Sequence, residues 1–366
     1  MNTSSSIILI GIGTSGAAIA RNAQRAFGGS MRLILADTDA STGRPDEPFV
    51  LLGGDRLSGH GTGGDIVAGR MAAEDSKKLI DERVDGVRIA VIVTALGGGT
   101  GGGATIEIVK HLSGCGISTV VFAATPFTFE GEDRQRTARG VTAMIEDAAD
   151  STFFLPLDKL VGSVDNMADA MQLAADRLAD GIALFWRLLE KPGYIRLEAE
   201  RLRHVLSGAG RGRFATVTLS GPNRAAEALE RVLASEMLST ASGPVRSAIC
   251  GILAGDGLLL SEVGKIADGL RKSFADATFD IGTVNDEETF RDRLSVVVLL
   301  FETNGKPEEE TKSSPTPTRA GRRKIKVHPP IAPNGHGRFH KAEPTIWNGE
   351  DLDIPTFIRK DIYIDF

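Results

Sequence analysis

The sequence contains few cysteines, few aromatic residues and no long apolar run. Only Cys115 and Cys250 are present among 366 residues, without a C-x-x-C pair, which excludes a disulfide framework and a zinc site built from cysteines. Cys115, between two glycines at a predicted turn, is expected to be a small buried residue. The first apolar run, residues 7–12, is too short for a signal peptide or a membrane span. We therefore expect a soluble cytosolic protein.

A surplus of positive charge is missing as well. The chain carries 42 Lys and Arg against 48 Asp and Glu, a net charge of −6, whereas proteins that bind nucleic acid need a basic excess. We therefore expect no nucleic-acid partner. Glycine, in contrast, is abundant, since 43 glycines make up about 12% of the chain against a usual ~7%.

Strand-like and helix-like segments alternate through the first half of the chain. Apolar strands separated by helices predict an α/β fold, in which a parallel sheet carries helices on both faces. Such sheets bind ligands in the loops after the carboxyl ends of the strands. The predicted strands are Ile7–Gly11, Arg32–Ala36, Arg88–Ala95, Ser118–Ala123 and Thr152–Pro156, and the predicted helices are Ala17–Phe27, Ala68–Arg83, Ala104–Leu112 and Arg134–Ala149.

The pattern changes after a long predicted helix that Pro192 and Gly193 end. A second, smaller α/β domain with hairpin-like strand order is predicted beyond it. The next segment is proline-rich and basic, which predicts disorder, so its three histidines are expected to hold no metal. The basic run Arg319–Lys326 admits a nucleic-acid or membrane interpretation, but a solvated linker is favoured. The predicted divisions are 1–168 for the first α/β domain, 169–191 for the interdomain helix, 192–303 for the second domain, 304–345 for the disordered linker and 346–366 for an apolar, acidic C-terminal segment.

The glycine-rich segment Leu96–Ala104, LGGGTGGGA, joins a buried strand to a helix. Backbone N–H groups can approach a phosphate closely at such a junction, the helix N-terminus adds a positive dipole end, and the Thr100 hydroxyl can donate. The segment is not a Walker motif, because no GK[ST] follows. A side chain at Gly99 or Gly101 would place its Cβ where the phosphate must lie, so Gly99→Val is expected to abolish nucleotide retention and leave the fold intact.

Two further glycine clusters follow other predicted strands. GIGTSGAA, from Gly11, matches G-x-G-x-x-G, which by itself admits a dinucleotide Rossmann site with Asp37 or Asp39 as the ribose-binding acid. Gly59–Gly64 is the other cluster. Three glycine loops at one edge of a sheet favour a nucleoside triphosphate over a dinucleotide. Glu130 and Arg134 follow the next strand and could bind ribose hydroxyls and phosphate, although this spacing is also typical of a surface salt bridge.

These segments together resemble the FtsZ family, the bacterial tubulin homologues that act as division GTPases. The resemblance covers residues 7 to about 303 and implies the tubulin/FtsZ fold. The C-terminal DLDIPTFIRK is similar to the family's tail peptide, which docks on membrane tethers, and implies partner-binding residues Asp353, Ile354, Pro355, Phe357 and Ile358. The matching segments, in the family's order, are GIGTSGAA, ADTDA, GHGTGGDIVAGRMAAED, GGGTGGGA, TPFTFEGEDR and LPLDKL.

The resemblance implies GTP or GDP as the bound nucleotide, with Mg²⁺ as a further candidate ion. The implied contacts are Thr14, Ser15, Gly16, Ala17, Ala18, Gly99, Thr100 and Gly101 for the phosphates, Thr62 and Gly63 near the γ-phosphate, Glu130 and Arg134 for ribose and phosphate, and Asp176 for the guanine edge. In the family, hydrolysis occurs between subunits, where a loop with the pattern N-x-D-x-x-D reaches the next subunit's nucleotide.

This sequence departs from the family at that loop. Arg196 aligns with the Asn, Glu198 with the first Asp and Arg201 with the second, so one carboxylate is lengthened and the other is replaced by a cation. Glu198 is the candidate catalytic residue, and Glu200 is the alternative. Met171 and Ala175 replace the family's guanine-facing aromatic residue and asparagine, so guanine specificity and turnover are both expected to be weakened.

The function predicted from the sequence is a GTP-binding protein that assembles head to tail into cytoskeletal filaments for cell division and septation. We expect it in the cytoplasm at the division site, on the inner face of the membrane, which it would contact only indirectly through tether proteins. GTPase activity, if retained, is expected to be slow. The alternatives are a divergent non-hydrolysing scaffold outside division and, more remotely, a Rossmann dinucleotide oxidoreductase.

Overall fold

Ten β-strands form one continuous sheet in the computed structural model, which describes residues 6–28, 31–191, 193–197, 199–239, 244–302, 346–347 and 350–351. The strand order is β3-β2-β1-β4-β5-β6-β7-β10-β8-β9. The strands are β1 (Ile7–Ile12), β2 (Leu33–Asp37), β3 (Phe49–Leu51), β4 (Ile89–Ala95), β5 (Ser118–Thr125), β6 (Ser151–Pro156), β7 (Gly210–Ser220), β8 (Val245–Ala254), β9 (Thr278–Asn285) and β10 (Arg293–Glu302).

The helices connect these strands. The longest, α8, spans 24 residues at the junction between the two predicted domains. The helices are α1 (Gly13–Phe27), α2 (Gly54–Leu57), α3 (Ile66–Asp75), α4 (Lys77–Asp81), α5 (Thr105–Gly114), α6 (Glu132–Ala148), α7 (Leu157–Val161), α8 (Met167–Glu190), α9 (Ala199–Leu206), α10 (Arg224–Leu233), α11 (Glu236–Ser239), α12 (Leu260–Ser273) and α13 (Glu287–Phe290).

The first seven strands are parallel, and both faces of this part of the sheet are buried. Along β1, Ile7 and Leu9 pack into the hydrophobic cluster shared with α1 and α8, whereas Ile8 and Ile10 pack into the cluster shared with α3, α5 and α6. Successive side chains of a strand point to opposite faces, so an uninterrupted apolar strand requires helices on both sides. The predicted α/β fold, with a parallel sheet covered by helices on both faces, is confirmed.

Aromatic packing joins the first half of the sheet to the second. The ring of Phe122 on β5 lies 5.0 Å from Phe153 on β6, 5.4 Å from Phe185 on α8 and 5.0 Å from Phe214 on β7. Trp186 is buried in the same cluster. One core therefore extends across the predicted domain boundary, and the division at residues 168–192 stays a prediction.

Several local predictions are wrong in detail. The helix predicted over 68–83 is two helices, because the Ser76 hydroxyl donates to the Ala72 carbonyl at 2.8 Å and accepts the Gly53 N–H at 2.9 Å. The hairpin-like order of the second half is also wrong. There β10 is antiparallel to β7 and β8, while β8 and β9 are parallel. Cys115 is exposed, because it follows the last turn of α5.

The chain divides into two compact units, Met1–Pro307 and Glu308–Phe366. In the second unit, the described residues form two short antiparallel strands, β11 (Ile346–Trp347) and β12 (Glu350–Asp351). The linker and the peptide residues Asp353, Ile354, Pro355, Phe357 and Ile358 lie outside the described residues. Among the helices that the structure describes, none has the length and apolar character needed to cross a bilayer.

Candidate functional site

A cavity of about 900 Å³ opens where the carboxyl ends of the central parallel strands meet. From β1 the sheet continues to β2 and β3 on one side and to β4, β5 and β6 on the other. The order in which the strands are added therefore reverses between β1 and β4. Open α/β sheets bind ligands at this point of reversal. The volume is within the range of pockets that hold a nucleotide-sized ligand, roughly 300–1,000 Å³. The lining consists of residues 12–16, 18–19, 37–39, 60–64 and 95–101, of Ala124, Pro126, Phe127, Glu130, Asp133, Arg134, Thr137 and Leu157, and of part of α8.

The first glycine loop begins α1 directly after β1. No side chain caps the first turn of α1, and no acidic residue lies in it, so the N–H groups and the positive dipole end are available to an anion. A Cβ on Gly16 would lie 2.5 Å from the Val93 carbonyl oxygen, so this residue must be glycine for α1 to lie against β4. Thr14, Ser15, Gly16 and Ala18 line the cavity as predicted, whereas the Ala17 side chain is fully buried behind them.

The long glycine loop begins α5 with a wide π-helical turn over Thr100–Ala104. A Cβ on Gly99 would lie 2.4 Å from the Thr62 hydroxyl and 2.5 Å from the Asp65 carbonyl oxygen, and a Cβ on Gly101 would lie 2.1 Å from the Ala95 carbonyl oxygen. The expectation that Gly99→Val leaves the fold intact is therefore wrong, because these two glycines allow the loop to pack against its own chain.

Gly98 differs from its neighbours. It lines the cavity, and a Cβ built on it meets no atom within 4 Å. The open space beside Gly98 is therefore the part of the loop where a side chain could enter the ligand's volume without a clash inside the protein. Gly99, Thr100 and Gly101 line the cavity as predicted, as do Thr62 and Gly63 from the third glycine cluster.

Asp37, at the end of β2, organises the wall between these loops. Its carboxylate is buried and accepts hydrogen bonds from the hydroxyls of Thr14 at 2.9 Å and Thr42 at 2.7 Å, and from the Thr38 N–H at 2.8 Å. These hydrogen bonds from the protein itself occupy acceptor positions of the Asp37 carboxylate and fix its orientation. Asp37, one of the two acids that a dinucleotide site could use to bind ribose, is therefore already engaged by the protein.

Two threonine contacts hold the long glycine loop, one from this wall and one from β4, and the sequence did not predict them. The hydroxyls of Thr38 and Thr100 lie 2.6 Å apart, and the Thr94 hydroxyl donates to the Gly101 carbonyl at 2.9 Å. Asp39 also lines the cavity, and hydrogen bonds from the Ser41 hydroxyl and N–H lower its pKa. The ADTDA segment was the sequence signal for this wall, but it does not reveal which hydroxyls its carboxylates bind.

The opposite wall holds the predicted sugar-binding pair. Glu130 accepts the Phe127 N–H at 2.9 Å and the Arg134 guanidinium at 2.6 Å, so the two side chains do form a salt bridge. A carboxylate offers about four acceptor positions, which leaves Glu130 able to accept further hydroxyls. Asp158 holds the loop that contains Thr128 and Glu130. Its carboxylate accepts hydrogen bonds from the Thr128 N–H at 3.0 Å and from the Thr128 hydroxyl at 2.7 Å.

The remaining wall is apolar. Met171 lies half exposed on α8 at the mouth of the cavity, beside Ala175. This wall could contact one face of a flat base. Asp176 does not line the cavity: it is exposed on α8 and accepts a hydrogen bond from Gln172 at 2.8 Å. Its contact to a guanine edge stays a prediction.

The predicted catalytic loop follows α8 and lies against β9. The Ile195 N–H donates to the Thr283 hydroxyl at 2.9 Å, and the Thr283 N–H donates to the Ile195 carbonyl at 2.7 Å. Glu198 lies outside the described residues. Glu200 pairs with Arg88 at 2.7 Å, and Arg201 pairs with Asp280 at 3.1 Å, so the alternative catalytic residue and the arginine that replaces the second Asp are both held by their own chain.

Comparison with known proteins identifies relatives along most of the chain. Residues 6–165 match the model of the tubulin/FtsZ family GTPase domain. The cell division protein FtsZ of Pseudomonas aeruginosa is 30% identical over 314 residues, which cover 84% of this chain and 79% of that protein. The cell division protein FtsZ of Coxiella burnetii is 32% identical over 281 residues, which cover 74% of this chain and 72% of that protein.

Solved structures share the fold. An FtsZ dimer from M. jannaschii, solved empty, is 23% identical, has a TM-score of 0.74 and covers 81% of this chain and 88% of its own. A GTPγS-bound protofilament of CetZ2 from Haloferax volcanii is 21% identical, has a TM-score of 0.68 and covers 81% of this chain and 92% of its own. With the family match and the two sequence relatives, these findings establish that the chain belongs to the tubulin/FtsZ family.

Proposed function

We propose that the protein binds GTP and GDP in the cavity at the reversal point of the sheet. The observation that carries the proposal is the convergence of two uncapped helix beginnings, at Gly13 and Thr100, on one cavity of about 900 Å³. Both present N–H groups and a positive dipole end to the same volume, which suits a chain of phosphates. Mg²⁺ would be held mainly by those phosphates and by water, as this ion usually is.

We propose that the bound nucleotide supports head-to-tail assembly into filaments. The FtsZ of M. jannaschii was solved as a dimer and the CetZ2 of Haloferax volcanii as a protofilament. The cavity-lining residues of α8 lie between Met171 and Leu178, in its first half, whereas the loop after its last residue presents Tyr194, whose surface is 73% exposed. An exposed aromatic residue on this loop suits a contact with the next subunit.

We propose a role in bacterial cell division, because the sequence relatives are cell division proteins. In this proposal the protein works in the cytoplasm at the division site. Membrane tethers would bind the peptide that contains Ile354, Pro355 and Phe357, and the membrane itself would be contacted only through them. Residues 304–345 would serve as the linker to this peptide. Residues 1–168 would bind the nucleotide, 169–191 would form the interdomain helix and 192–303 the second domain.

We further propose that hydrolysis is slow. Arg201 replaces a carboxylate in the family pattern, and its pairing with Asp280 keeps the cation on its own subunit. Glu198 then remains the candidate for orienting the attacking water, with Glu200 as the alternative. A general base must lie within hydrogen-bond reach of the proton it takes, and Glu200 is already paired with Arg88.

A second candidate function is a scaffold that binds nucleotide without hydrolysing it and acts outside division. The same Arg201–Asp280 pair favours it, because a cation cannot replace the missing base. CetZ proteins share the fold, and CetZ2 of Haloferax volcanii was solved as a GTPγS-bound protofilament.

Nucleotide extraction from the purified full chain tests the proposed binding. We expect GTP or GDP in about one equivalent per chain, and polymer that sediments when GTP is added. Phosphate release from the same sample then separates the two candidates, because slow release supports the division GTPase and none supports the scaffold. A chain that binds neither nucleotide would contradict both.

A further inference from the structure

Three metal-ligating side chains meet on the outer surface of the first half of the chain, away from the nucleotide cavity. Asp81 ends α4, His111 lies in the last turn of α5, and Cys115 follows that helix. One ligand atom from each lies within 4.8 Å of the other two. None of these three residues lines the nucleotide cavity.

The packing of the two helices already positions part of this cluster. His111 and Cys115 are four residues apart, so they lie on the same face of α5. The His111 Nε2 atom lies 2.5 Å from an Asp81 carboxylate oxygen, and the imidazole is only 17% exposed, whereas the Asp81 side chain is 50% exposed. The imidazole is thus oriented by its surroundings, while the carboxylate and the thiol can move towards an ion.

We propose that Asp81, His111 and Cys115 form a binding site for a divalent transition-metal ion of the Zn²⁺ class. A carboxylate oxygen, an imidazole nitrogen and a thiolate sulfur are all established zinc ligands, at about 2.0–2.3 Å from the ion. The thiolate and imidazole select against Mg²⁺ and Ca²⁺, which prefer oxygen ligands. The two anionic ligands also balance the charge of the ion.

The distances require only small movements, in which the His111 and Asp81 ligand atoms, now 2.5 Å apart, would separate slightly. In a tetrahedral site with such bonds, ligand atoms lie roughly 3.3–3.8 Å apart, against an upper limit of 4.8 Å here. An ion would replace the His111–Asp81 hydrogen bond by two coordinate bonds.

Three protein ligands leave a fourth position of a tetrahedral ion for water or for a group from another molecule. The ion would also tie α4 to α5 at the end of α5 that lies farthest from the long glycine loop. Since α5 contains ten residues, the site lies about 15 Å along the helix from the turn that frames the cavity. Occupancy is therefore expected to leave direct nucleotide contacts unchanged.

Cobalt titration of the untagged full chain tests the proposal. Co²⁺ takes the place of Zn²⁺ and reports a bound thiolate by a sulfur-to-cobalt charge-transfer band in the near ultraviolet. We expect this band at one equivalent, its bleaching by Zn²⁺, and no bleaching by a large excess of Mg²⁺. Cys250 cannot supply the thiolate, because it is fully buried and burial raises its pKa to about 12.

Variants assign the ligands. Cys115→Ser should abolish the band, and His111→Gln and Asp81→Asn should each weaken cobalt binding by at least about tenfold, since even the loss of an outer partner of a ligand costs about 10–100-fold. Glu82→Gln is the matched control, because this exposed carboxylate is adjacent to Asp81 but outside the cluster.

Two further measurements show whether the cobalt result depends on misfolding of a variant or on the histidines of the C-terminal tail. Zn²⁺ should slow alkylation of the exposed Cys115 thiol in the unaltered protein. Replacing the tail histidines His328, His336 and His340 with Gln should leave the band unchanged. The proposal would be overturned if the band is absent at saturating Co²⁺ or persists in Cys115→Ser. It would also be overturned if His111→Gln binds Co²⁺ with the same affinity and the same band intensity as the unaltered protein.

Discussion

Arg201 binds Asp280 through two hydrogen bonds, with Nε and Nη2 at 3.1 and 3.2 Å from the two carboxylate oxygens. Asp280 lies on β9, so the guanidinium is held by the second half of its own chain. The arginine is about half exposed, and pairs of this kind contribute only about 0–1 kcal/mol to stability. The pair therefore matters for where the cation lies more than for the stability of the fold.

Restoring the missing carboxylate should raise GTP turnover. The double variant Arg201→Asp with Asp280→Asn removes the cation and avoids placing two carboxylates side by side. We expect phosphate release to rise by up to about 10²-fold, the usual size of one positioned acid–base group. Steady-state phosphate release from polymerising protein measures this.

The control is Asp280→Asn alone, which frees Arg201 without adding a carboxylate and should give no increase. Glu198→Ala should abolish the activity that the unaltered protein retains. Turnover unaffected by Glu198→Ala would show that another group orients the water, and Glu200→Ala would then be the next variant.

A side chain at Gly98 should block the nucleotide without unfolding the protein. A Cβ there meets no protein atom within 4 Å, and the residue lines the cavity. We expect Gly98→Val to bind GTP at least about tenfold more weakly, a loss of about 1.4 kcal/mol or more. The thermal midpoint without nucleotide should stay unchanged.

Gly99→Val is the matched comparison. Its Cβ would lie 2.4 Å from the Thr62 hydroxyl, and overpacking of this kind typically costs about 1–3 kcal/mol. We expect a lower thermal midpoint in addition to weaker binding. Equal midpoints for the two variants would contradict the packing role of Gly99.

The sequence predicts the strands better than the site. The uninterrupted apolar run of β1 is sufficient to predict a strand buried on both faces, because the pattern depends on neighbouring residues alone. The need for glycine at position 99 depends on Thr62 and Asp65, which approach it only in the folded chain. The residues next to Gly99 in the sequence do not reveal these contacts. The glycine content of the loop therefore predicted only that the loop binds phosphate.

The same limit applies to side chains that meet from different helices. Asp81 and His111 are thirty residues apart and come together because α4 packs beside α5. Cys115 between two glycines resembles a buried turn residue, yet it is exposed because α5 ends immediately before it. Spacing in the sequence could not predict either outcome.

Arg187 should be essential for stability. It is buried, with its guanidinium 3.1 Å from an Asp286 oxygen and 2.6 Å from the Phe27 carbonyl oxygen. Removing one member of a buried ion pair typically costs about 3–5 kcal/mol, because the other charge is left unpaired. We expect Arg187→Met to lower the free energy of unfolding in urea by about 3 kcal/mol. Arg203→Met, which removes the solvent-exposed pair of Arg203 with Glu200, should change it by less than about 1 kcal/mol.

The Asp286 side of this pair should make stability depend on pH. Burial raises the pKa of Asp286, but hydrogen bonds from Thr289 and the charge of Arg187 outweigh it and leave the pKa below its usual value. A carboxyl with a lowered folded-state pKa stabilises the protein above its unfolded pKa of about 4 and loses that contribution as pH falls further. The stability difference between the unaltered protein and Asp286→Asn should therefore be constant near neutral pH and shrink below about pH 4.

Removal of the tail should separate assembly from recruitment. A chain ending at residue 303 keeps every strand of the large sheet, so we expect it to sediment with GTP like the full chain. It lacks the peptide with Ile354, Pro355 and Phe357, which suits a groove on a partner protein, so it should no longer localise to the membrane in cells. Membrane localisation of the truncated chain would contradict the proposed role of the peptide.

The most direct test of the account is the ratio of GTP to GDP in sedimented polymer. If hydrolysis is slow, polymer forms with GTP, and the pellet still contains mostly GTP after an interval in which the FtsZ of Pseudomonas aeruginosa, run in parallel, has converted most of its own. A pellet that contains mostly GDP at that time would contradict slow hydrolysis, and the absence of any GTP-dependent pellet would contradict assembly itself.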